Sequence, residues 1–479
     1  MNDAWSTALA GLAEMLGPRL LLDEDRRRPF ATDFGRVVHR LPAAVARCTS
    51  TAEVAEVVRC CGEHGIPITP RGRGHSQSGQ ATTSGLLLDT SAMTQIHSVD
   101  AVAGTATTDG GTTWRDLVAA TAPRGWVPRV LTNNLDVSVA GTISVAGLGV
   151  ASYRYGTQAD NAVELEVVTG AGDIVTCSRE VERDLFDAVR CGFGQFGVIT
   201  RVTQALRRCK PKVRLHHLLY DDFAAFMHDA ELVTGPSHHE RFQSIESHCA
   251  PCPIFTRKLG PGIELGSGTQ LYAHWMFPMF LGVEHDEGEE PDDAAALAGL
   301  KFYRHLRSDD YTQLEYVNRL DPIFSLWRRA GIWDMPHPWV DTILPWDRAK
   351  DLIPFILESF PPEALGPGGQ IMLLPGRCDS SAVPLFAYPE GHANVMGFSL
   401  LPTVPAPFLD EALPQIRMFH EVAIAAGAKR YLSGWVPFES RADWEGHFGA
   451  ARWAAIRDAK RRYDPAGILN PGFFASPSA

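Results

Sequence analysis

Apolar and polar positions alternate with two different periods over the first two hundred residues. In "STAEVAEVVRCCGEHG", residues 50–65, Ala52, Val54, Val57, Val58 and Cys61 follow the helical period. Ser50 and Glu53 stand at capping-box spacing before that run, and Gly65 can end it. Short apolar runs in "IPIT" and "GLLLDTS" predict buried strands at 66–69 and 85–91. "VELEVVTGAGDIVTCS", 163–178, is two extended runs around Gly170-Ala171-Gly172-Asp173, which predicts a hairpin. "ERDLFDAVR" then reads as helix and "VITRVTQAL" as strand, and the opening "MNDAWSTALAGLAEMLG" is an amphipathic helix. Helices and strands mixed in this way, joined by Gly-rich turns, predict an α+β fold.

From about 211 to 431 the chain changes character and becomes rich in Trp, His and Pro. Its acidic run "EHDEGEEPDD", 284–293, is expected to be a solvated connection without chemistry of its own. Beyond Tyr431 one helix is predicted from Trp444 to Tyr463, stopped by "DPAGILNPG". A length of 479 residues exceeds one compact core, so two or three domains are expected. The borders in composition suggest 1–209, 210–431 and a returning tail at 432–479.

"GFGQFG", 192–197, matches the GxGxxG dinucleotide fingerprint. That fingerprint needs a strand before it and a helix after it, so that the pyrophosphate meets the helix N-terminus. Here the helix comes first and the strand second, so a nicotinamide-binding Rossmann site is rejected.

A net charge of −12 with dispersed Lys and Arg argues against nucleic acid as a partner. No stretch approaches the roughly 20 apolar residues that span a bilayer. The N-terminus lacks the basic and small-residue features of a secretory signal, which makes the cytoplasm the expected location. Nine scattered cysteines are expected to be reduced thiols, and the lone CxxC of "HCAPC" (248–252) has no second pair to complete a zinc site. No metal is expected.

The loop "RGRGHSQSGQ", 71–80, is the strongest chemical signal. Glycines at 72, 74 and 79 let main-chain N–H groups converge into a nest suited to a pyrophosphate. Alone, the loop also fits a surface turn with a solvated His75. Two further Gly-rich turns, "DGGTTW" (109–114) and "AGTISVAGLG" (140–149), favour an extended phosphate-containing cofactor threaded among the three.

This loop resembles the segment that carries covalent FAD in flavoproteins of the vanillyl-alcohol-oxidase type, with their PCMH-type FAD-binding domain. Within that group the chain is most similar to the cytokinin dehydrogenases. The likeness extends through "GTISVAGLG", "DLFDAVRCGFGQFGVITRV", "YDDFAAF" and the tail "DWEGHFGAARWAAIRDAKRRYDPAGILNPG". It implies a FAD-binding domain plus an α+β substrate cap, with His75 bonded to the flavin 8α-methyl, fixing the ring and raising its potential. Arg71, Gly72, Arg73, Gly74, Ser76, Gln80, Ser138, Ser144, Leu148, Ile199 and Tyr431 fall on cofactor-contacting positions of the family. No Cys occurs between Leu131 and Val150, so a single covalent link is expected.

The resemblance implies a small-molecule substrate bound between cap and flavin, hydride transfer from an amine of the N6-substituted adenine class, and electrons passed to dioxygen or a quinone. The chain departs from the family at one decisive place. The aspartate that accepts a hydrogen bond from the substrate amine is replaced by Asn133 in "LTNNLDVSVAGTIS", and the preceding aromatic by Leu131. An amide accepts a hydrogen bond but takes no proton, and general-base help is worth about 10²–10⁴-fold. Asp136 is the nearest carboxylate, yet in an extended segment it faces away from Asn133. Phe473 stands where the family commonly has a polar residue near the flavin.

Glu246 aligns with a cap glutamate that touches the adenine and is the second candidate catalytic residue; the alternative is a strand residue facing solvent. Trp275, Trp333, Trp339 and Trp346 can sandwich a flat substrate or simply fill core. A flavin oxidase acting on a different amine, alcohol or ring carbon is the alternative function. A flavin-binding protein without catalysis is a third reading, opposed by the intact His75 loop. Oligomeric state is left open.

Overall fold

The computed structural model describes residues 3–236, 238, 240–252 and 274–474. A first sheet of four strands has the order Leu20–Leu21, Ala44–Arg47, Leu86–Asp89, Ile68–Arg71, the last three parallel. Leu86, Leu87 and Leu88 are fully buried, which accounts for their unbroken apolar run. Helix Thr51–Glu63 covers this sheet with Val54, Val57, Val58 and Cys61. Ser50 caps it by accepting from the Glu53 N–H. The other half of the expected box differs: the Glu53 carboxylate accepts from the Thr49 N–H at 2.8 Å and from Arg19 at 2.6 Å. An arginine within reach outcompetes the Ser50 amide because a charge-assisted bond is stronger.

A second, antiparallel sheet is centred on strand Val198–Arg208, which pairs with Thr105–Asp109, Ala162–Val168 and Trp126–Pro128. The hairpin expected at 170–173 joins Ala162–Val168 to Ile174–Ser178 with Val168 opposite Ile174. Helix Arg183–Val189 precedes the Gly192–Gly197 turn and strand Val198–Arg208 follows it, the order on which the dinucleotide motif was rejected.

The cap is an eight-stranded sheet running Arg304–Thr312, Lys212–Tyr220, His274–His285, Ser244–Cys252, Gln370–Arg377, Asn394–Leu401, Val340–Pro345, Lys429–Arg430. Helices Phe223–Thr234, Trp346–Ser359 and Leu409–Ala425 share one core with residues such as Leu344. The neighbouring Ile343 joins the core of the second sheet, so successive side chains bind the cap to opposite partners. Of the acidic run, residues 286–290 and Asp292 are exposed as expected. Glu284 is not: its nearly buried carboxylate pairs with Arg207 at 2.7 Å.

The single helix expected from Trp444 to Tyr463 is two, Arg441–Phe448 and Ala450–Tyr463, broken at Gly449 with φ +81°. Apolar periodicity runs through the break because Trp444, Phe448, Trp453 and Ile456 enter the same core. The tail then reaches the first sheet, where the Asn470 N–H donates to the Ile68 carbonyl at 2.6 Å.

Candidate active site

Strand Ile68–Arg71 delivers the chain into the histidine loop, which is held from below. The Arg71 guanidinium donates to the carbonyls of Thr32 at 2.8 Å and Ala81 at 3.2 Å. It lies directly under Gly74, where φ is +65° and a Cβ would stand 2.5 Å from the guanidinium. Buried Asp33 accepts from the Ser76 hydroxyl at 2.9 Å and the Gly79 N–H at 2.7 Å. Burial pushes its pKa up to about 6, against the lowering effect of those two bonds and of nearby Arg71. Gln80 donates to the carbonyls of Leu432 and Gly434 at 3.1 and 2.9 Å, tying the loop to the returning chain.

The carbonyls of Gly74 and Ser76 point back to the N–H groups of Phe34 and Gly35. The main-chain N–H groups of Gly72 to Gln77, by contrast, donate to no acceptor among the described residues. Gly72 packs so closely on Ser138 that a Cβ would lie 2.2 Å from its hydroxyl. A run of free main-chain donors is a fitting cradle for a pyrophosphate.

His75 sits within this run with its ring 4.1 Å from Phe34 and 6.2 and 6.0 Å from Trp333 and Trp339. Desolvation, aided by nearby His337, lowers its pKa to about 3, so the imidazole is neutral and keeps a lone pair. Asn134 places its Nδ2 3.5 Å from His75 Nε2, while its Oδ1 accepts from the Asp136 N–H at 3.0 Å. Trp333 and Trp339 therefore belong to the site, whereas Trp275 and Trp346 are buried in the cap core.

Asn133 and Glu246, brought from different domains, meet. Asn133 Nδ2 donates to Glu246 Oε1 at 3.0 Å, and Arg319 donates to Asn133 Oδ1 at 3.2 Å and to Glu246 Oε2 at 2.5 Å. His248 Nε2 lies 3.3 Å from Glu246 Oε1. Glu246 is 6% exposed, so the solvent-facing alternative does not hold. Burial alone would raise its pKa, but the Arg319 charge and the contact with His248 hold the carboxyl far below the ordinary range. Asp136 fails as a base for a different reason from alternation. The segment turns instead of running extended, and Asp136 is held by Arg115 at 2.6 Å and Arg328 at 3.5 Å.

The remaining expected contacts are distributed along the same seam. The Tyr431 hydroxyl accepts from the Leu148 N–H at 3.3 Å, and Ser144 bonds its own helix through the Ala140 carbonyl at 2.8 Å. Ser138 and Ile199 are buried, and Arg73 is exposed, donating to the Asp136 carbonyl at 3.2 Å. Phe473 packs on Phe193 at 5.0 Å. Arg319, Asp33 and Asn134 carried no sequence signal, since each acquires its role only from partners distant in the chain.

Among the described residues one group has metal-ligand chemistry: His216, Asp293 and His305, with ligand atoms within 4.8 Å of one another. The Ser308 hydroxyl donates to Asp293 at 2.7 Å and lies 2.9 and 3.0 Å from the two imidazoles, which occupies one ring nitrogen of each and leaves His216 Nε2 buried without a partner. The CxxC side chain of Cys252 is outside the described residues, and burial pushes the Cys249 thiol pKa well up. The eight described cysteines are free.

Known proteins resemble this chain in both halves. A FAD-binding-domain family matches residues 42–178, and a family described as cytokinin dehydrogenase, FAD and cytokinin binding, matches residues 284–474. An uncharacterized oxidoreductase of the fasciation locus of Rhodococcoides fascians is 32% identical over 92% of this chain and 95% of its own. Cytokinin dehydrogenase 6 of Oryza sativa subsp. japonica is 31% identical over 96% and 92%. The solved structure of 6-hydroxy-D-nicotine oxidase from Arthrobacter nicotinovorans shares the fold, with a TM-score of 0.67 at 23% identity, covering 94% of this chain and 96% of that one. Likeness over nearly the entire length, in the FAD half and the cap half alike, makes this chain a member of the cytokinin dehydrogenase family of FAD-dependent oxidoreductases, built on the vanillyl-alcohol-oxidase fold.

Proposed function

We propose that the protein carries FAD covalently on His75 and removes a hydride from a carbon next to nitrogen in a small, flat, cytokinin-like molecule. The observation that carries this reading is the place of His75 within a run of unpaired main-chain N–H groups, against Asn134 and near Trp333 and Trp339, where burial keeps its imidazole neutral. Those donors would take the pyrophosphate, and His75 would hold the ring at its 8α carbon. Bound there, FAD supplies the hydride acceptor, and dioxygen or a quinone the final electron sink.

The chain's own residues then have limited work. Asn133 orients the substrate through its amide, and the aromatic rings beside His75 offer a flat substrate faces to pack on. The substrate N–H proton finds no side-chain base at Asn133, because Glu246 and Asp136 are both committed to arginines. It leaves to water. That absence favours a second reading, a different amine, alcohol or ring carbon as substrate, one whose oxidation needs no base.

Two measurements test the proposal. Acid-precipitated wild type should stay yellow and His75→Ala should release its flavin; a colourless wild-type pellet removes the covalent link. Anaerobic mixing with isopentenyladenine should bleach the flavin band, and an intact band would turn the assignment to the second reading.

A further inference from the structure

Donors and acceptors around Asn133 do not balance. The buried Glu246 carboxylate already accepts from Asn133, His248 and Arg319. Asp136, the next carboxylate, is taken by Arg115 and Arg328. Arg319 is different. Its Nη2 serves Asn133 and Glu246 and its Nη1 the Tyr316 carbonyl at 3.3 Å, which leaves the Nε–H and one Nη1–H with no acceptor among the described residues. The guanidinium is fixed in place by lying 4.8 Å over the Tyr316 ring.

Arg319 also lines a cleft between the FAD domain and the cap, with Leu131, Thr132, Ala151 and Val317. Arg129 and Arg207 enter the same cleft, and Arg207 Nε is a buried donor without a partner. Against these donors the cleft offers Glu284, consumed by Arg207 at 2.7 Å, and one unpartnered acceptor, Gln313 Oε1. The free volume is about 30 Å³, room for one or two water-sized groups and not for a ring.

We infer that this cleft is an oxygen-accepting subsite, in which Arg319 receives a carboxylate or carbonyl oxygen carried by the substrate. A guanidinium fixed in place with N–H groups still open to an acceptor is ready to receive one, and a charged donor gives the stronger bond. Glu246 thereby becomes scaffold, a fixed counter-charge that aims Arg319, and the substrate presents acceptors where an adenine would present N–H donors. This inference rests on the second reading of the proposed function, a substrate other than an adenine that enters over Asn133.

Isothermal calorimetry on the purified flavoprotein, with benzoate, benzylamine and adenine as probes, tests it. Wild type should bind benzoate at least tenfold more tightly than either base. Arg319→Met combined with Glu246→Gln removes the ion pair as a unit and should lose at least tenfold in benzoate affinity while leaving adenine unchanged. Arg319→Lys, which keeps the charge and loses the fork, should fall between. Absence of benzoate binding, tighter binding of adenine, or unchanged benzoate affinity in the double variant would each overturn the subsite. A colourless protein that still binds benzoate through Arg319 would instead sink the flavin proposal and leave the subsite standing.

Discussion

Asn133→Asp introduces the carboxylate that the family resemblance implies at this position, and the structure says what that carboxylate would meet. Glu246 Oε1 is 3.0 Å from Asn133 Nδ2, and Arg319 is 3.2 Å from Asn133 Oδ1. At an effective dielectric of about 20, the new repulsion is about 5 kcal/mol and the new attraction to Arg319 nearly the same. These cancel, and what is left is the lost amide bond to a charged acceptor, about 1.5–3 kcal/mol, plus desolvation. Since about 1.4 kcal/mol shifts a pKa by one unit, the introduced carboxyl should titrate roughly one to two units above an ordinary aspartate. Its folded pKa then exceeds its unfolded value, so the folded state binds the extra proton and loses stability as pH rises through the folded pKa. The variant should match wild type in denaturant near pH 4 and fall about 2 kcal/mol below it at pH 8, the size of that shift. Its turnover of the native substrate should change little if that substrate needs no base. A variant whose deficit is independent of pH, or which is more stable at pH 8, would refute the charge arrangement. A large gain in activity on the native substrate would refute the second substrate reading.

Asp33→Asn should keep the bonds to Ser76 and Gly79 while removing an ionisation at about 6. Wild-type stability should therefore drop by about 3 kcal/mol between pH 4 and pH 7 through this group, and the variant's unfolding curves should lack that slope. Gly449→Ala places a side chain at φ +81°, ψ 151°, a region that glycine alone occupies readily. It should cost about 1–3 kcal/mol by thermal unfolding, and a neutral result would mean that the two helices can merge.

The sequence made the loop at 71–80, the hairpin at 170–173 and the strand after 197 legible, because each depends on residues within one short window. The cap partners of Asn133 were half visible: Glu246 through alignment, Arg319 not at all. Arg319 is 186 positions from Asn133 and follows the short helix Gln313–Val317, and nothing in its neighbourhood distinguishes it from a surface arginine. Asp33 was silent for the same reason, lying 43 residues from Ser76. The break at Gly449 escaped because apolar spacing reports which face is buried and carries no information on the sign of φ.

The bonds of Asn470 set an order of events in synthesis. Its main chain holds Ile68, and its side chain holds the Gln80 carbonyl at 3.3 Å and that of Phe193 at 2.8 Å. The loop that would receive the cofactor is translated early, yet its last fastening is a residue made some four hundred positions later. A chain still on the ribosome thus exposes an unfinished cradle, and cofactor capture becomes a step of the completed polypeptide, joined to the closing of its longest-range contacts.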